Sequence, residues 1–263
     1  YLKDNKNILA EKNNCLPIIK YVSAKNKKKK RNIKIKKSQW LKDYLHCTKL
    51  KDVDLIVELI GGAEGPAKKL VFDALKNKKH VVTANKALIA KYGDQLAKIA
   101  EKNKVNLEFE AAVCGGLPII RSLKEGLIAN KISRIYGILN GTCNYILSQM
   151  SEKKISFDTA LKNAQNAGFA EADPYDDISG NDTAYKLVIL TNLIFSTNFK
   201  IKHVYLEGIT KISNIDLEMG DKLGYTILLL GISNIKNKMI QLRVHPCLVS
   251  KNSLLAKVKN ELN

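Results

Sequence analysis

Five acidic side chains crowd into the twenty residues AGFAEADPYDDISGNDTAYK, at positions 167–186. They are Glu171, Asp173, Asp176, Asp177 and Asp182, and the stretch closes with Lys186. The chain as a whole is strongly basic, with 44 Lys and Arg against 25 Asp and Glu and a net charge of +19. Because neighbouring like charges repel each other, the cluster indicates either a solvated acidic loop or a site that needs these groups.

The spacing within the stretch favours a pairing of Asp182 with Lys186. Gly180 and Asn181 interrupt the chain, and Asp182 suits the N-cap or first turn of the helix that follows. Residues four apart share a helix face, so the pair could be an ordinary surface ion pair. With carboxylates from the adjoining loop, the same residues could instead bind an ammonium-bearing substrate beside a lysine that can donate a proton.

Alternating strands and helices are predicted for the first part of the chain. Strands are expected at 16–24, 53–62, 80–86 and 105–113, and helices at 65–79 and 86–104. This rhythm predicts an α/β fold, a doubly wound parallel sheet covered on both faces. Such sheets bind ligands at the carboxyl ends of their strands, which directs attention to the turns at 58–62 and 83–86.

The rhythm changes after about Leu117. Strands are predicted at 132–140, 224–233 and 239–249, helices at 144–153, 157–168 and 182–195, and a short helix near the end. This pattern is typical of an α+β domain with antiparallel strands. We therefore expect an incomplete Rossmann-type nucleotide domain at 1–116 and an α+β catalytic and dimerisation domain at 117–263.

Composition favours a globular cytoplasmic protein over membrane or secreted classes. The sequence is 45% hydrophobic, has no apolar run of 18 residues, and does not begin with a signal-peptide pattern. Its five cysteines are scattered and never spaced C-x-x-C, which indicates reduced thiols rather than a zinc site. The Lys-rich run at 24–37 keeps a nucleic-acid-binding alternative open, although no aromatic residues interleave it.

A glycine-rich phosphate-binding loop is missing from the start of the chain. The first glycine is Gly61, so no G-x-G-x-x-G motif precedes it. We expect the sequence to be a fragment that lacks the first strand and turn of its nucleotide domain.

Five collinear segments resemble the homoserine dehydrogenases. AQNAGFAEADPYDDISGNDTAYK, at 164–186, is similar to the signature of that family. The likeness also includes VDLIVELIGGAEGPA, HVVTANKALIA, FEAAVCGGLPII and RIYGILNGTCNYIL, in that order. It is dense over residues 50 to 210. The resemblance implies NAD(P)-dependent interconversion of aspartate 4-semialdehyde and homoserine, on the route to threonine, methionine and isoleucine.

The resemblance assigns roles to the acidic stretch. Lys186 matches the family's proton-donating lysine, and Asp182 would hold its ammonium group. Glu171 matches the residue that binds the substrate's amino group, supported by Asp177. The substrate pocket would also be lined by Gly141 and Thr142.

Cofactor and cation sites are implied in the same way. Lys86 matches the lysine that lies between cofactor and substrate, whereas the residue alone would suggest a solvated lysine at a helix start. Backbone contacts to the cofactor match Ile60, Gly61, Thr83 and Ala84. A monovalent cation, usually sodium, is bound in the family at positions matching Glu110, Val113, Gly115 and Leu117. A glycine hinge between domains is the alternative for that last segment.

The sequence also leads to expectations about the choice of cofactor, the oligomeric state, the activity and the enzyme class. Ser23, Lys25 and the lysines that follow favour NADP over NAD, without deciding between them. The resemblance implies a homodimer formed through the sheet of the second domain. Because the chain starts late and stops at LLAKVKNELN, we expect weak NAD(P)H binding and little activity. Another oxidoreductase acting on an aldehyde or amino acid is the alternative enzyme class.

Overall fold

A computed structural model describes residues 2, 4–237 and 239–260. The strands are β1 (Leu55–Glu58), β2 (His80–Thr83), β3 (Leu107–Glu108), β4 (Arg134–Gly137), β5 (Tyr205–Leu206), β6 (Tyr225–Lys236) and β7 (Met239–Ser250). The helices are α1 (Lys6–Asn13), α2 (Pro66–Lys76), α3 (Lys86–Asn103), α4 (Ile119–Arg121), α5 (Gly141–Lys153), α6 (Phe157–Asn166), α7 (Tyr175–Ile178), α8 (Asn181–Phe195) and α9 (Asn214–Lys222).

The first sheet is parallel and follows the chain order β1-β2-β3. Ile56, Val81 and Leu107 lie side by side in the register and are buried, and α2 and α3 pack against each other and against the sheet. Parallel neighbours need a helical crossover, and the amphipathic helices between the strands supply it. The predicted α/β class with a parallel sheet is confirmed.

Two details of the predicted nucleotide domain were wrong. Residues 16–24 form no strand, because only Val22 pairs, in a single bridge with Trp40, and Ile18 and Ile19 are exposed. The strand at β1 is buried on one face only, since Leu55 is 47% exposed and Val57 56% exposed. Among the described residues, other side chains therefore pack against only one of the two faces of β1.

The second sheet has the order β4-β6-β7-β5, with antiparallel pairs except between β5 and β7. On one face, α5, α8 and α9 pack on β6. On the other face, Leu228, Leu230 and Ile232 form a small cluster that Leu255 and Val258 cover. The central strand β6 is thus buried on both sides, which explains its continuous apolar sequence.

Short polar caps start the helices that matter for the site. The side chain of Asn85 accepts a hydrogen bond from Leu88 N at the start of α3, and that of Asn140 accepts from Cys143 N at the start of α5. Gly180 precedes α8 at a φ of 86°, a conformation that favours glycine.

Contacts between α3 and α8 join the two halves of the molecule. One continuous set of buried apolar residues runs from the first sheet through these helices to the second. Lys200 Nζ donates a hydrogen bond to Lys91 O at 2.8 Å, which ties the loop after α8 to α3. The first turns of α3 and α8 meet through the ion pair of Lys86 with Asp182.

No helix within the described ranges is both long and apolar enough to cross a membrane. The division of the chain at 116/117 stays a prediction, and residues 1, 3, 238 and 261–263 of the two predicted domains lie outside the described residues. A short 3₁₀ turn, Leu255–Lys257, is found where the terminal helix was predicted.

We expect Gly208→Ala to destabilise the fold strongly. A Cβ at this position would lie 2.2 Å from Ile178 O and 2.7 Å from the Cα of Ser179, both backbone atoms that cannot move aside cheaply. The free energy of unfolding, from urea titration, should fall by about 3 kcal/mol. Gly137→Ala is the control, because a Cβ there meets nothing within 4 Å. Equal stability of the two variants would contradict this packing.

Candidate active site

A cleft of about 630 Å³ opens where the start of α3 faces the starts of α5 and α8. Its lining combines two lysines with carboxylates and the turn before the acidic stretch: Lys86, Asn140, Gly141, Thr142, Gly168, Phe169, Glu171, Asp173, Tyr175, Asp176, Asp177, Asp182 and Lys186. The predicted substrate and proton-transfer residues all lie in this lining. They come from both halves of the chain.

Asp182 lies at the centre of the charged groups. One carboxylate oxygen contacts Lys86 Nζ at 2.8 Å, and the other contacts Lys186 Nζ at 2.8 Å. Asp182 is 4% exposed, so two cations neutralise a carboxylate that is almost completely buried. Lys186 also donates to Leu139 O at 2.7 Å, which fixes its ammonium group at the end of β4.

The side chains of Lys86 and Lys186 differ in solvent exposure. The side chain of Lys186 is 14% exposed, whereas that of Lys86 is 39% exposed. Lys86 reaches Asp182 from the first turn of α3, so this ion pair connects the nucleotide-type sheet to the second half of the chain. The predicted pairing of Asp182 with Lys186 is present, and the second partner of Asp182 was not foreseen.

Asn140 is the residue of the site that sequence reasoning missed. Its Nδ2 donates to Asp177 Oδ1 at 2.7 Å and to Asp182 Oδ2 at 2.9 Å, while its Oδ1 caps α5. The neutral amide thus holds two like charges close together. Its place in LNGT, at the end of a predicted strand and before a helix, was a signal for an N-cap residue.

Opposing effects set the ionisation of Asp182 and Lys86. Burial alone raises the pKa of Asp182, but the charges and hydrogen bonds of Lys186 and Lys86 outweigh it and lower the net pKa. Burial lowers the pKa of Lys86, and the attraction of Asp182 reverses this into a net rise. The stability that Asp182 contributes is therefore present above its ordinary pKa and is lost as the pH falls through the lowered value.

Asp177 behaves in the opposite way. Burial raises its pKa, the nearby charge of Asp182 adds to the rise, and the hydrogen bond from Asn140 and the charge of Lys86 only partly offset it. A carboxylate held above its ordinary pKa in a cleft is a typical feature of functional sites.

The remaining predicted substrate residues border the open part of the cleft. Glu171 is exposed, and its carboxylate makes no hydrogen bond or ion pair with the described residues. Thr142 Oγ1 donates to Phe169 O at 2.7 Å, which holds the turn at 168–169 against the start of α5. Gly141 and Thr142 form the first turn of that helix, whose amides have no intrahelical acceptor.

The predicted cofactor positions lie at the carboxyl ends of β1 and β2. The amides of Ile60 and Gly61 do not point into open space, because both donate to Glu58 Oε1, at 2.6 and 3.0 Å. Thr83 is fully buried, and its hydroxyl donates to Glu58 Oε2. Ala84 N lies 3.4 Å from Glu58 O.

This arrangement fits the uncharged end of a nicotinamide cofactor better than its phosphates. The two turn amides are already occupied, whereas Leu59 and Ile60 are exposed and a Cβ on Gly61 would meet open space. An apolar, open turn suits the flat face of a ring.

The four residues predicted to bind a monovalent cation lie on one segment. The carboxylate of Glu110 accepts hydrogen bonds from Ile120 N at 2.7 Å and Arg121 N at 3.0 Å. The carbonyl of Glu110 accepts backbone hydrogen bonds from Val113 N and Cys114 N, whereas that of Leu117 accepts only from Ile119 N and keeps a second lone pair. Val113 is buried, and Gly115 is exposed. Cation binding at this segment stays a prediction.

Two family models match the chain in succession. Residues 6–110 match "Homoserine dehydrogenase, NAD binding domain", and residues 118–263 match "Homoserine dehydrogenase". The second match alone spans more than half of the chain. The chain belongs to the homoserine dehydrogenase family.

Individual relatives agree with the family models. The homoserine dehydrogenase of Neisseria gonorrhoeae is 49% identical over 224 residues, which is 85% of this chain and 51% of that protein. A crystal structure of the S. aureus homoserine dehydrogenase superimposes with a TM-score of 0.84 at 39% identity, covering 98% of this chain and 65% of that one. A hyperthermophilic archaeal homoserine dehydrogenase in complex with NADPH gives a TM-score of 0.67 at 29% identity, covering 79% and 59%.

This chain spans about half the length of the curated homoserine dehydrogenases it matches. The cleft described above joins the two matched ranges, since Lys86 lies in the first and Asp182 and Lys186 lie in the second.

We expect Asp177→Asn to stabilise the chain at neutral pH. Because the folded state raises the pKa of Asp177, wild-type stability falls as the pH rises from the ordinary pKa through the raised one. The asparagine does not titrate, and its Oδ1 can still accept from Asn140. Thermal unfolding from about pH 3 to 7 should show a gain in melting temperature that is largest at pH 7 and vanishes at the acidic end.

The exposed neighbour Asp176 provides the matched control. Asp176→Asn should change the melting temperature at pH 7 much less than Asp177→Asn does. An Asp177→Asn protein that is less stable than wild type at pH 7 would contradict the prediction.

Proposed function

We propose that this chain carries the substrate-binding and proton-transfer groups of a homoserine dehydrogenase, which interconverts L-aspartate 4-semialdehyde and L-homoserine with NADPH or NADH, and that its own activity is low. The observation that carries the proposal is the shared carboxylate of Asp182, which binds one lysine from each half of the chain at 2.8 Å. Open α/β sheets bind ligands beyond the carboxyl ends of their strands, and Lys86 begins the helix that follows the carboxyl end of β2.

The open carboxylates suit the amino end of the substrate. Glu171 is exposed and unpaired among the described residues, and Asp177 lines the same cleft. An ammonium group between them would be paired without displacing Lys86 or Lys186. The first-turn amides of α5, at Gly141 and Thr142, suit the substrate's carboxylate.

Lys186 suits proton transfer to the substrate's oxygen. Its ammonium group is held by Asp182 and by Leu139 O, and it borders the cleft. When bound, the cofactor supplies the hydride that reduces the aldehyde carbon. Lys186 would donate the proton that completes the alcohol, and Asp182 would hold the ammonium group of that lysine in place. Lys86 would stabilise negative charge on the oxygen from the cofactor side.

Ile60, Gly61, Thr83 and Ala84 remain the proposed cofactor contacts, with Lys86. They lie in the range that matches an NAD binding domain, and one relative is known in complex with NADPH. Because Ile60 N and Gly61 N donate to Glu58, contact at this turn would come through carbonyl and apolar atoms. The choice between the two cofactors rests on the predicted role of Ser23 and Lys25 near the lysine run.

Lys186→Ala should abolish most of the activity. Removing a positioned proton donor should lower kcat for aspartate 4-semialdehyde reduction by roughly a hundredfold to ten-thousandfold. The measurement is NADPH oxidation followed by absorbance. Lys162→Ala, at an exposed lysine of α6, is the matched control and should keep wild-type kcat. A Lys186→Ala protein of normal kcat, or a wild type that oxidises other hydroxy amino acids but not homoserine, would refute the proposal.

We also propose that the chain forms a homodimer through the second sheet. Tyr136, Ile232, Arg243 and Tyr205 form one row across all four strands, on the face that α5, α8 and α9 leave open. Three of them, the two tyrosines and the arginine, are exposed. Exposed tyrosine and arginine on a flat sheet are typical of protein interfaces.

Sedimentation velocity tests the dimer. The wild type should sediment as a dimer, and the double variant Tyr136→Asp, Tyr205→Asp should sediment as a monomer because it buries charge at both ends of the row that forms the interface. Tyr225→Asp, at an exposed tyrosine on the opposite face of the sheet, should remain dimeric. A wild type that is a stable monomer would refute the proposal.

A further inference from the structure

Glu58 is a fully buried carboxylate that has no cation partner among the described residues. It is 0% exposed and ends β1, at the edge of the sheet where the cofactor positions lie. Burying an unpaired carboxylate is costly unless hydrogen bonds satisfy it. Its presence there therefore requires a structural or functional reason.

The carboxylate accepts hydrogen bonds from three directions. Oε1 accepts from Ile60 N at 2.6 Å and from Gly61 N at 3.0 Å, and Oε2 accepts from Thr83 Oγ1 at 2.5 Å. These bonds join the glycine turn after β1 to the end of β2. A single side chain thus sets the distance between the two turns that carry the proposed cofactor contacts.

The same network continues to the first residue of α3. Thr83 Oγ1 accepts from Asn85 N at 3.0 Å, and Asn85 Nδ2 donates to Gly62 O at 2.7 Å. Asn85 also caps α3, which begins at Lys86. Glu58, Thr83 and Asn85 therefore lie between the glycine turn and the lysine that binds Asp182.

We propose that Glu58 is a positioning residue for the cofactor side of the site. Its carboxylate holds the Ile60–Gly61 turn and the Thr83 hydroxyl in one arrangement, and through Asn85 it fixes the start of the helix that presents Lys86. By occupying the two turn amides, it also prevents this turn from serving as a phosphate site. For cofactor binding the inference rests on the proposed function, whereas the arrangement itself does not.

Amide hydrogen exchange on the full chain, resolved by NMR, tests the arrangement without any cofactor. In Glu58→Ala, the amides of Ile60 and Gly61 lose their acceptor and should exchange faster by about tenfold or more. In Glu58→Gln, the remaining side-chain oxygen can accept from both amides. These amides should therefore keep most of their wild-type protection from exchange. In Thr83→Val, the amide of Asn85 should exchange faster, because its acceptor is removed from a side chain of similar shape.

Thr191→Val is the matched control for a buried threonine. Its hydroxyl has no hydrogen-bond partner within the described residues, and it lies in α8, away from the turn. It should leave exchange at Ile60, Gly61 and Asn85 unchanged. Unchanged exchange in both Glu58→Ala and Thr83→Val would overturn the proposal, as would an equal increase over the whole chain. If Glu58→Ala does not fold, Thr83→Val and Glu58→Gln decide the question.

NADPH affinity, measured by cofactor fluorescence, tests the functional consequence. Glu58→Ala and Thr83→Val should raise the dissociation constant of NADPH by about tenfold, with Glu58→Gln between them and wild type. Homoserine binding, measured separately by thermal shift, should change less than twofold. If Glu58 acted only by repelling phosphate, Glu58→Gln would bind NADPH more tightly than wild type, and the proposal would be wrong.

The two tests separate failure of the inference from failure of the proposed function. A wild type that binds no NADPH and has no activity refutes the proposed function, while the exchange rates still decide the role of Glu58. A wild type that binds NADPH as tightly as Glu58→Ala and Thr83→Val refutes the inference alone.

Discussion

The structure depends above all on one buried carboxylate shared by two cations. Asp182 is almost completely excluded from solvent and binds Lys86 and Lys186 through separate oxygens. Removing either lysine would leave the buried charge of Asp182 only partly compensated, which is costly in the protein interior because its dielectric constant is low. Because the lysines come from α3 and α8, this pairing also determines how the two halves of the chain meet at the cleft.

A second buried acid plays a comparable part on the other side of the cleft. Glu58 is satisfied by backbone amides and a hydroxyl rather than by cations. Asp182 therefore orders charged side chains that can move protons, whereas Glu58 orders backbone turns. Asn85 and Lys86 are adjacent in the chain, so the network around Glu58 ends where the network around Asp182 begins.

A neutral side chain, that of Asn140, holds the carboxylates of Asp177 and Asp182 close to each other. Asn140 donates one amide group to both Asp177 and Asp182 and uses its oxygen to cap α5. The pKa of Asp182 is lowered because Lys186 and Lys86 outweigh its burial, whereas the pKa of Asp177 is raised because burial outweighs the hydrogen bond from Asn140. Two carboxylates a few residues apart in sequence thus differ in ionisation because their surroundings differ, which is how protein sites commonly separate the roles of similar groups.

The sequence by itself determined most of the helices and strands and the pairing of Asp182 with Lys186. Periodicity located α2, α3, α5, α8 and the long strands, and the spacing of Asp182 and Lys186 predicted their pairing, because these features are local. Periodicity failed at 16–24, where only Val22 pairs, in a bridge with Trp40, and the sequence assigned no role to Asn140 or Glu58. Only the tertiary structure decided that Lys86 binds Asp182 and that Glu58 occupies the amides of Ile60 and Gly61. Lys86 and Asp182 are 96 positions apart in the chain, so no local pattern predicts their contact. The carboxylate of Glu58 folds back onto the amides of the turn that follows it, and this too depends on a side-chain conformation that a local pattern does not predict.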